Sequence, residues 1–434
     1  MYMFVHEVIY ENVHYLISGM TWSSVAAVIL LLCPAVSSKR CQACSDICHC
    51  SEHDMICSNV GVQCWNGTLF ENCQHVLRFK ISDSTFSSID QFLTYNFPHL
   101  QSVLFFNNTI KYIKKDIFSN MKDINIINIF CNNISHLDEH SFSNLPAVEN
   151  IHYYQNSLKK VRAGLFSNNI NLIILTLTQN EIQSIVPGSF NNLPKLTTLN
   201  LDFNFLQSLG PGVFKALGKV DALNLAYNKL EELDGCFEGL VELKTLNLSF
   251  NNLMTLKEDL FLSLQNLEIL TFEHNKLNFL PTGIFTMQSK LVRLDLSENN
   301  LKTLTMEVLV PLKHLLRLHL KENPLNCDCE LRKVWVWCDR KTYKFLAICA
   351  SPPNYAGRFW AALKKLDCNK EDEVSSVVVL CLSGFLLIIV ISYLIYIYNY
   401  VEIRWRVSNK KVFSEIRQRI RPGIHKPQSV PQLQ

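Results

Sequence analysis

One motif returns along this chain every 24 residues, and that period limits the fold more than any other feature. The pattern L-x-x-L-x-L-x-x-N-x-L-x-x-L is carried by Leu172, Leu175, Leu177, Asn180, Ile182 and Ile185, then by Leu196, Leu199, Leu201, Asn204, Leu206 and Leu209. Registers open at Val76, Leu100, Ile124, Val148, Leu172, Leu196, Val220, Leu243, Leu267, Leu291 and Leu315, with a single 23-residue step from Val220 to Leu243. A unit this short cannot bury its apolar face alone, so the units must stack into a solenoid. The L-x-L core predicts a short strand whose side chains alternate between core and solvent, and stacking turns these strands into a parallel sheet.

Two further columns run through the repeats. Asn108, Asn132, Asn156, Asn180, Asn204, Asn228, Asn251, Asn275, Asn299 and Asn323 follow the strands, and Ser84 takes that place in the first repeat. A buried amide must be satisfied, so these side chains are expected to bond backbone groups of adjoining turns. Phe118, Phe142, Phe166, Phe190, Phe214, Phe237, Phe261 and Phe285 form a packing spine on the convex side.

The pattern resembles the typical extracellular leucine-rich-repeat subclass of Toll-like, Slit-like and related adhesion ectodomains, over roughly residues 44–368. The resemblance implies an α/β solenoid, a horseshoe with a parallel concave β-sheet and disulfide caps. In such proteins function lies in solvent-facing positions and not in the fold. The flanks fit. Cys44, Cys48, Cys50 and Cys57 have the C-x3-C-x-C-x6-C spacing of an N-terminal cap, and the family's pairing would join Cys44 with Cys50 and Cys48 with Cys57. N-P-L-N-C-D-C with Trp335 and Trp337, then Cys349 and Cys368, resembles the C-terminal cap. There the family's pairing would join Cys327 with Cys349 and Cys329 with Cys368. Cys64 and Cys73 flank a short insertion and are expected to bridge each other. Cys41, Cys131, Cys236 and Cys338 stay unassigned, Cys131 at the exposed edge beside Asn132.

Two apolar segments set the topology. Val25 to Leu32 is too short to cross a bilayer and is followed by Ala35, Ser37 and Ser38, the layout of a secretory signal. Met20 opens a stretch that is by itself a compact signal, so residues 1–19 are either an upstream extension or the start of one long signal. The second segment, 374–400, holds no acidic or basic residue and is long enough for a spanning helix. Residues 401–434 then carry eight Lys and Arg against Glu402 and Glu415. That tail is +6 within a chain of +3, which leaves −3 ahead of it. Such asymmetry belongs to a chain that crosses a membrane with its basic end inside, not to a nucleic-acid binder.

The expected organisation is therefore a signal peptide at 1–38, an N-terminal cysteine cap at 39–75, about eleven repeats at 76–323 and a C-terminal cap at 324–369. A juxtamembrane stretch at 370–373, the transmembrane helix at 374–400 and a basic cytoplasmic tail at 401–434 follow. This is a single-pass type I protein of the plasma membrane. Fourteen of sixteen cysteines lie between Cys41 and Cys368, in the exported part, so disulfides are the default reading over zinc, including for Cys48-His49-Cys50 with His53.

No motif for catalysis or for a cofactor emerges: H-E-x-x-H, G-x-S-x-G, G-x-G-x-x-G and a phosphate-binding Gly-rich loop are all missing. A tail of about 34 residues cannot bury a domain core, so neither a Toll-type signalling domain nor a kinase is expected in it. Its basic run would rest on anionic lipid or serve only as a stop-transfer anchor.

Binding is thus the function class to pursue, at the third, fifth and seventh positions of each repeat. Repeats two to four present Ser102, Leu104, Phe106; Ile126, Asn128, Phe130; and Asn150, His152, Tyr154. Later repeats are small and polar (Thr176, Thr178, Thr198, Asn200, Asp202, Asn224, Ala226), and the last carry Arg293, Asp295, Arg317, His319 and Lys321. Phe106, Phe130 and Tyr154 are expected to form an aromatic ridge with strands about 4.8 Å apart, bordered by Leu104, Ile126 and His152. A protein ligand or cell-surface partner would bind there, with a membrane co-receptor to signal; mutual stacking that stiffens the sheet is the other reading. An adhesion molecule or co-receptor leads, before an innate-immune recognition or decoy receptor and a structural organiser of matrix or membrane contacts. Sequons at Asn66, Asn107, Asn133 and Asn247 predict glycans, that on Asn247 in mid-face.

Overall fold

The computed structural model describes residues 47–62, 75–89, 97–115, 117–118, 121–339 and 347–419. The chain divides into two units, Met1–Lys364 and Lys365–Gln434.

The first unit is built on one sheet of thirteen strands: β1 (Cys48–Cys50), β2 (Asp54–Ser58), β3 (Arg78–Ser82), β4 (Ser102–Phe106), β5 (Ile126–Phe130), β6 (Asn150–Tyr154), β7 (Ile174–Thr176), β8 (Thr198–Asn200), β9 (Ala222–Asn224), β10 (Thr245–Asn247), β11 (Ile269–Thr271), β12 (Arg293–Asp295) and β13 (Arg317–His319). The strands are laid in sequence order. Only β1 and β2 run antiparallel, pairing Cys48 with Cys57; each later strand is parallel to its neighbour in the register the period demands. Alternation holds: in β4, Val103 and Phe105 are buried while Ser102, Leu104 and Phe106 are half-buried on the other face.

From β3 onward each strand of the sheet is followed by a residue in the same left-handed conformation. Asp83, Asn107, Cys131, Gln155, Gln179, Phe203, Tyr227, Phe250, His274, Glu298 and Glu322 all have φ between 50° and 56°. Such a backbone costs on the order of 1 kcal/mol per residue outside glycine. The next residue offsets it. Asn204 donates from Nδ2 to the carbonyls of Leu177 (2.9 Å), Leu201 (3.1 Å) and Asp202 (3.0 Å), and its Oδ1 accepts from the Ile182 amide at 3.0 Å. Ser84 performs a shorter version, accepting from the Val60 amide at 2.9 Å and donating to the Ser82 carbonyl at 2.7 Å. The Phe column is fully buried, with rings stacked at 5.7 to 6.1 Å from Phe118 through Phe142 to Phe166, between Phe190 and Phe214, and from Phe237 through Phe261 to Phe285.

The 23-residue repeat is accommodated on the convex side. Three residues separate Leu233 from Phe237, where four separate Leu209 from Phe214. Gly235 (φ +56°) and Gly239 (φ +93°) are both left-handed there, and a Cβ on Gly239 would overlap the Lys215 carbonyl of the preceding repeat.

Both ends are closed by disulfides. Cys48 bonds Cys57, so that sulfur is no metal ligand, and Cys327 bonds Cys349. Cys329 and Cys368 are also disulfide cysteines, while Cys44, Cys64, Cys73 and the side chain of Cys50 lie outside the described residues. After β13, α1 (Cys329–Asp339) buries Leu331, Val334 and Cys338 over the end of the core. One expectation is overturned: Cys131, at the left-handed position before Asn132, is not at an exposed edge but buried and disulfide-bonded. Cys236 is a buried free thiol, pushed up to about 12 by burial.

The second unit contains one helix among the described residues, α2 (Asn369–Arg419), with a strongly apolar stretch long enough to cross a membrane. It does not stop at residue 400. The next helix breakers are Pro422 and Gly423, and Arg406 pairs with Glu402 one turn back at 2.7 Å.

Candidate functional site: the concave sheet

Parallel register brings the three ridge residues together. Phe106 is the partner of Phe130, and Phe130 of Tyr154. The Phe106 and Phe130 rings lie 4.9 Å apart at 45°, and Phe130 and Tyr154 stack at 4.5 Å and 7°. All three are half-buried, since each covers a face of the next. Burial pushes the Tyr154 phenol up to about 12, so it stays neutral at physiological pH.

The flanking residues divide. Leu104 and His152 lie in the adjacent fifth column with Asn128 between them, and His152 Nδ1 sits 3.2 Å from Thr176 Oγ1. Ile126 is in the third column, between Ser102 and Asn150, so it does not touch the ridge column directly. The apolar surface is therefore narrow, widest around Leu104, Phe106 and Phe130. Here strands β3 to β6 have five residues each, where later ones have three.

The sequons behave differently. Asn107 is buried, left-handed (φ 52°), and donates from Nδ2 to Asp83 Oδ1 at 2.7 Å, so its amide is engaged. Asn133 is exposed, its Oδ1 accepting from Ser157 Oγ at 3.2 Å. Asn247 stands half-buried in mid-sheet on β10, with Oδ1 accepting from the Ser249 amide at 3.0 Å. Asn66 lies outside the described residues.

A second aromatic row was not foreseen. Phe203, Tyr227, Phe250 and His274 occupy consecutive left-handed positions, stacked at 4.1, 4.2 and 4.7 Å, and His274 Nδ1 meets Glu298 Oε2 at 2.9 Å. The signal was an aromatic residue just before the column Asn in four successive repeats. That position is the eighth of the repeat, outside the third, fifth and seventh columns taken as the binding face.

The leucine rich repeat family model matches residues 98–152, 154–204, 194–253 and 265–325. A comparison with curated protein sequences finds no match. Among solved structures, a chain of the Drosophila Toll–Spatzle complex superposes with a TM-score of 0.60 at 22% identity, over 70% of this chain and 46% of that one. This chain thus spans about half the length of its Toll counterpart. A chain of the octameric complex of Latrophilin 3, Unc5D and FLRT2 superposes with a TM-score of 0.56 at 20% identity, over 74% of this chain and 98% of that one.

Proposed function

From the premise that the chain is a leucine-rich-repeat protein with disulfide caps at both ends, we propose that it is a non-enzymatic cell-surface binding protein, an adhesion molecule or co-receptor for a protein ligand. The observation that carries this reading is the ridge of Phe106, Phe130 and Tyr154: large rings on a solvent-facing column where the sheet needs none. Aromatic anchors dominate many protein interfaces. The solved relatives support the choice of a protein ligand, since Toll is seen with Spatzle and FLRT2 with Latrophilin 3 and Unc5D. The long apolar helix supports a single membrane crossing, and the disulfides support an extracellular repeat domain. The basic residues at the start of the tail would meet anionic lipid where the helix leaves the bilayer, and a co-receptor would carry the signal.

The test combines an unbiased pull-down from cell surfaces with a triple variant, Phe106→Ala, Phe130→Ala and Tyr154→Ala. Affinity for the captured ligand should fall by at least roughly 2 kcal/mol, about thirtyfold. Thr198→Ala and Asn224→Ala should leave it unchanged. Retained affinity in the triple variant refutes this site; lost affinity with a collapsed melting temperature assigns the ridge to packing.

A further inference from the structure

The C-terminal end of the concave sheet holds an arrangement the aromatic ridge does not explain. In β12 and β13 the register sets Arg293 directly beside Arg317, and Asp295 beside His319. Like charges on facing positions of neighbouring strands destabilise a sheet. Of the two arginines, Asp295 pairs with Arg293 alone and leaves Arg317 without a counter-charge among the described residues, because its carboxylate is fully engaged. It is 3% exposed and accepts from Arg293 Nη2 (3.1 Å), the Ser297 amide (3.2 Å) and Ser297 Oγ (2.8 Å), with His319 Nδ1 at 2.7 Å. The buried acid thus orients Arg293. The exposed Arg317 side chain makes no hydrogen bond or ion pair among the described residues. On the other side of Arg293 the register places Ile269, 37% exposed.

We propose that Arg293 and Arg317 form a seat for a carboxylate on an acidic segment of a protein partner, with Ile269 taking an adjacent apolar side chain. Two arginines on facing positions of neighbouring strands, whose backbones lie about 4.8 Å apart, can each reach one carboxyl group and donate to it from a planar fork. The surroundings favour a short acidic segment over a long polyanion. Glu273, Glu298 and Glu322 edge the same end of the sheet, Glu298 near His274 and Glu322 paired with Lys321, and the chain ahead of the tail is −3. An extended sulfated glycan would meet those carboxylates, and it offers nothing to Ile269. The seat is six strands from the ridge, roughly 29 Å, so it stands independently of the ligand proposed there.

The experiment uses the full-length chain in detergent micelles and a fluorescent, acetylated peptide of alternating glutamate and leucine, followed by anisotropy. Its counterpart with glutamine for glutamate should bind roughly tenfold more weakly, and added salt should weaken the glutamate peptide. Arg317→Gln should lower affinity by roughly tenfold without lowering the melting temperature, and Arg317→Lys should recover only part, having lost the planar fork. The triple alanine variant of the ridge should bind the peptide as the wild type does. Equal binding of both peptides, unchanged affinity or a lowered melting temperature in Arg317→Gln, loss of the peptide in the ridge variant, or heparin displacing it through Arg317 more tightly than it binds would each overturn the seat.

Discussion

Asn204 is a bond between repeats more than a member of one. It reaches the carbonyl of Leu177 in the previous repeat and the amide of Ile182 in the previous turn, besides two carbonyls of its own turn. Asn204→Ala strands the buried Ile182 N–H, while the three carbonyls keep a second donor each (Asn180 for Leu177, Asn228 for Leu201, the Gln179 amide for Asp202), so unfolding free energy should drop by about 2 kcal/mol in denaturant melts. Asn300→Ala, at an exposed position, should cost under about 0.5 kcal/mol. This column was legible because satisfying a buried amide leaves few choices, and Ser84 shows how a shorter side chain meets the same need. Asp295 was named among concave residues, but its burial was not foreseeable, since period two alone assigns it to solvent. Burial raises its carboxyl, yet the bonds from His319 and Ser297 outweigh that and hold it below the ordinary value. The folded pKa being the lower one, its stabilisation is present above about pH 3.9 and disappears as pH falls through the folded value. Between pH 7 and 3, Asp295→Asn should therefore lose less stability than the wild type, measured by melts across that range.

At the scale of elements, the strands and their register follow directly from the period, whereas the turns do not. The left-handed position before each Asn accepts Asp, Gln, Phe, Tyr, His or Glu, so no residue type marked it. That freedom hid the stacked row from Phe203 to His274 and the burial of Cys131. The same limit applies to Ile126, whose column follows from counting but whose distance from the ridge becomes plain only in the paired strands. Glycine is informative at the shortened repeat. Gly239 combines φ +93° with a backbone approach to Lys215 that leaves no room for Cβ. Gly239→Ala should lower stability by about 2 kcal/mol or more, since strain and overlap add. Gly210, with open space around it and no left-handed backbone, supplies the control: Gly210→Ala should be neutral or slightly stabilising in the same thermal melts.

For the whole molecule, charge and covalent chemistry point to the same orientation. The repeat unit holds disulfides at both ends, which persist in an oxidising compartment and not in the cytosol. The basic excess lies wholly on the other side of the apolar helix: residues 401–434 are +6 while all that precedes them is −3. Lys and Arg flanking a span are retained on the cytoplasmic side, which supports the proposal that the +6 end lies inside and the repeats outside. α2 continues as helix through Arg419, so the first part of the tail leaves the bilayer as a rod of about 28 Å if residues 401–419 lie beyond the hydrocarbon. A protease added to intact cells expressing a C-terminally tagged chain should therefore remove the repeats and leave the tag on a short, membrane-bound fragment. Permeabilised cells should lose the tag as well. If the repeats survived on intact cells while the tag was cleaved, the orientation would be reversed, and the concave sheet could not meet an extracellular ligand.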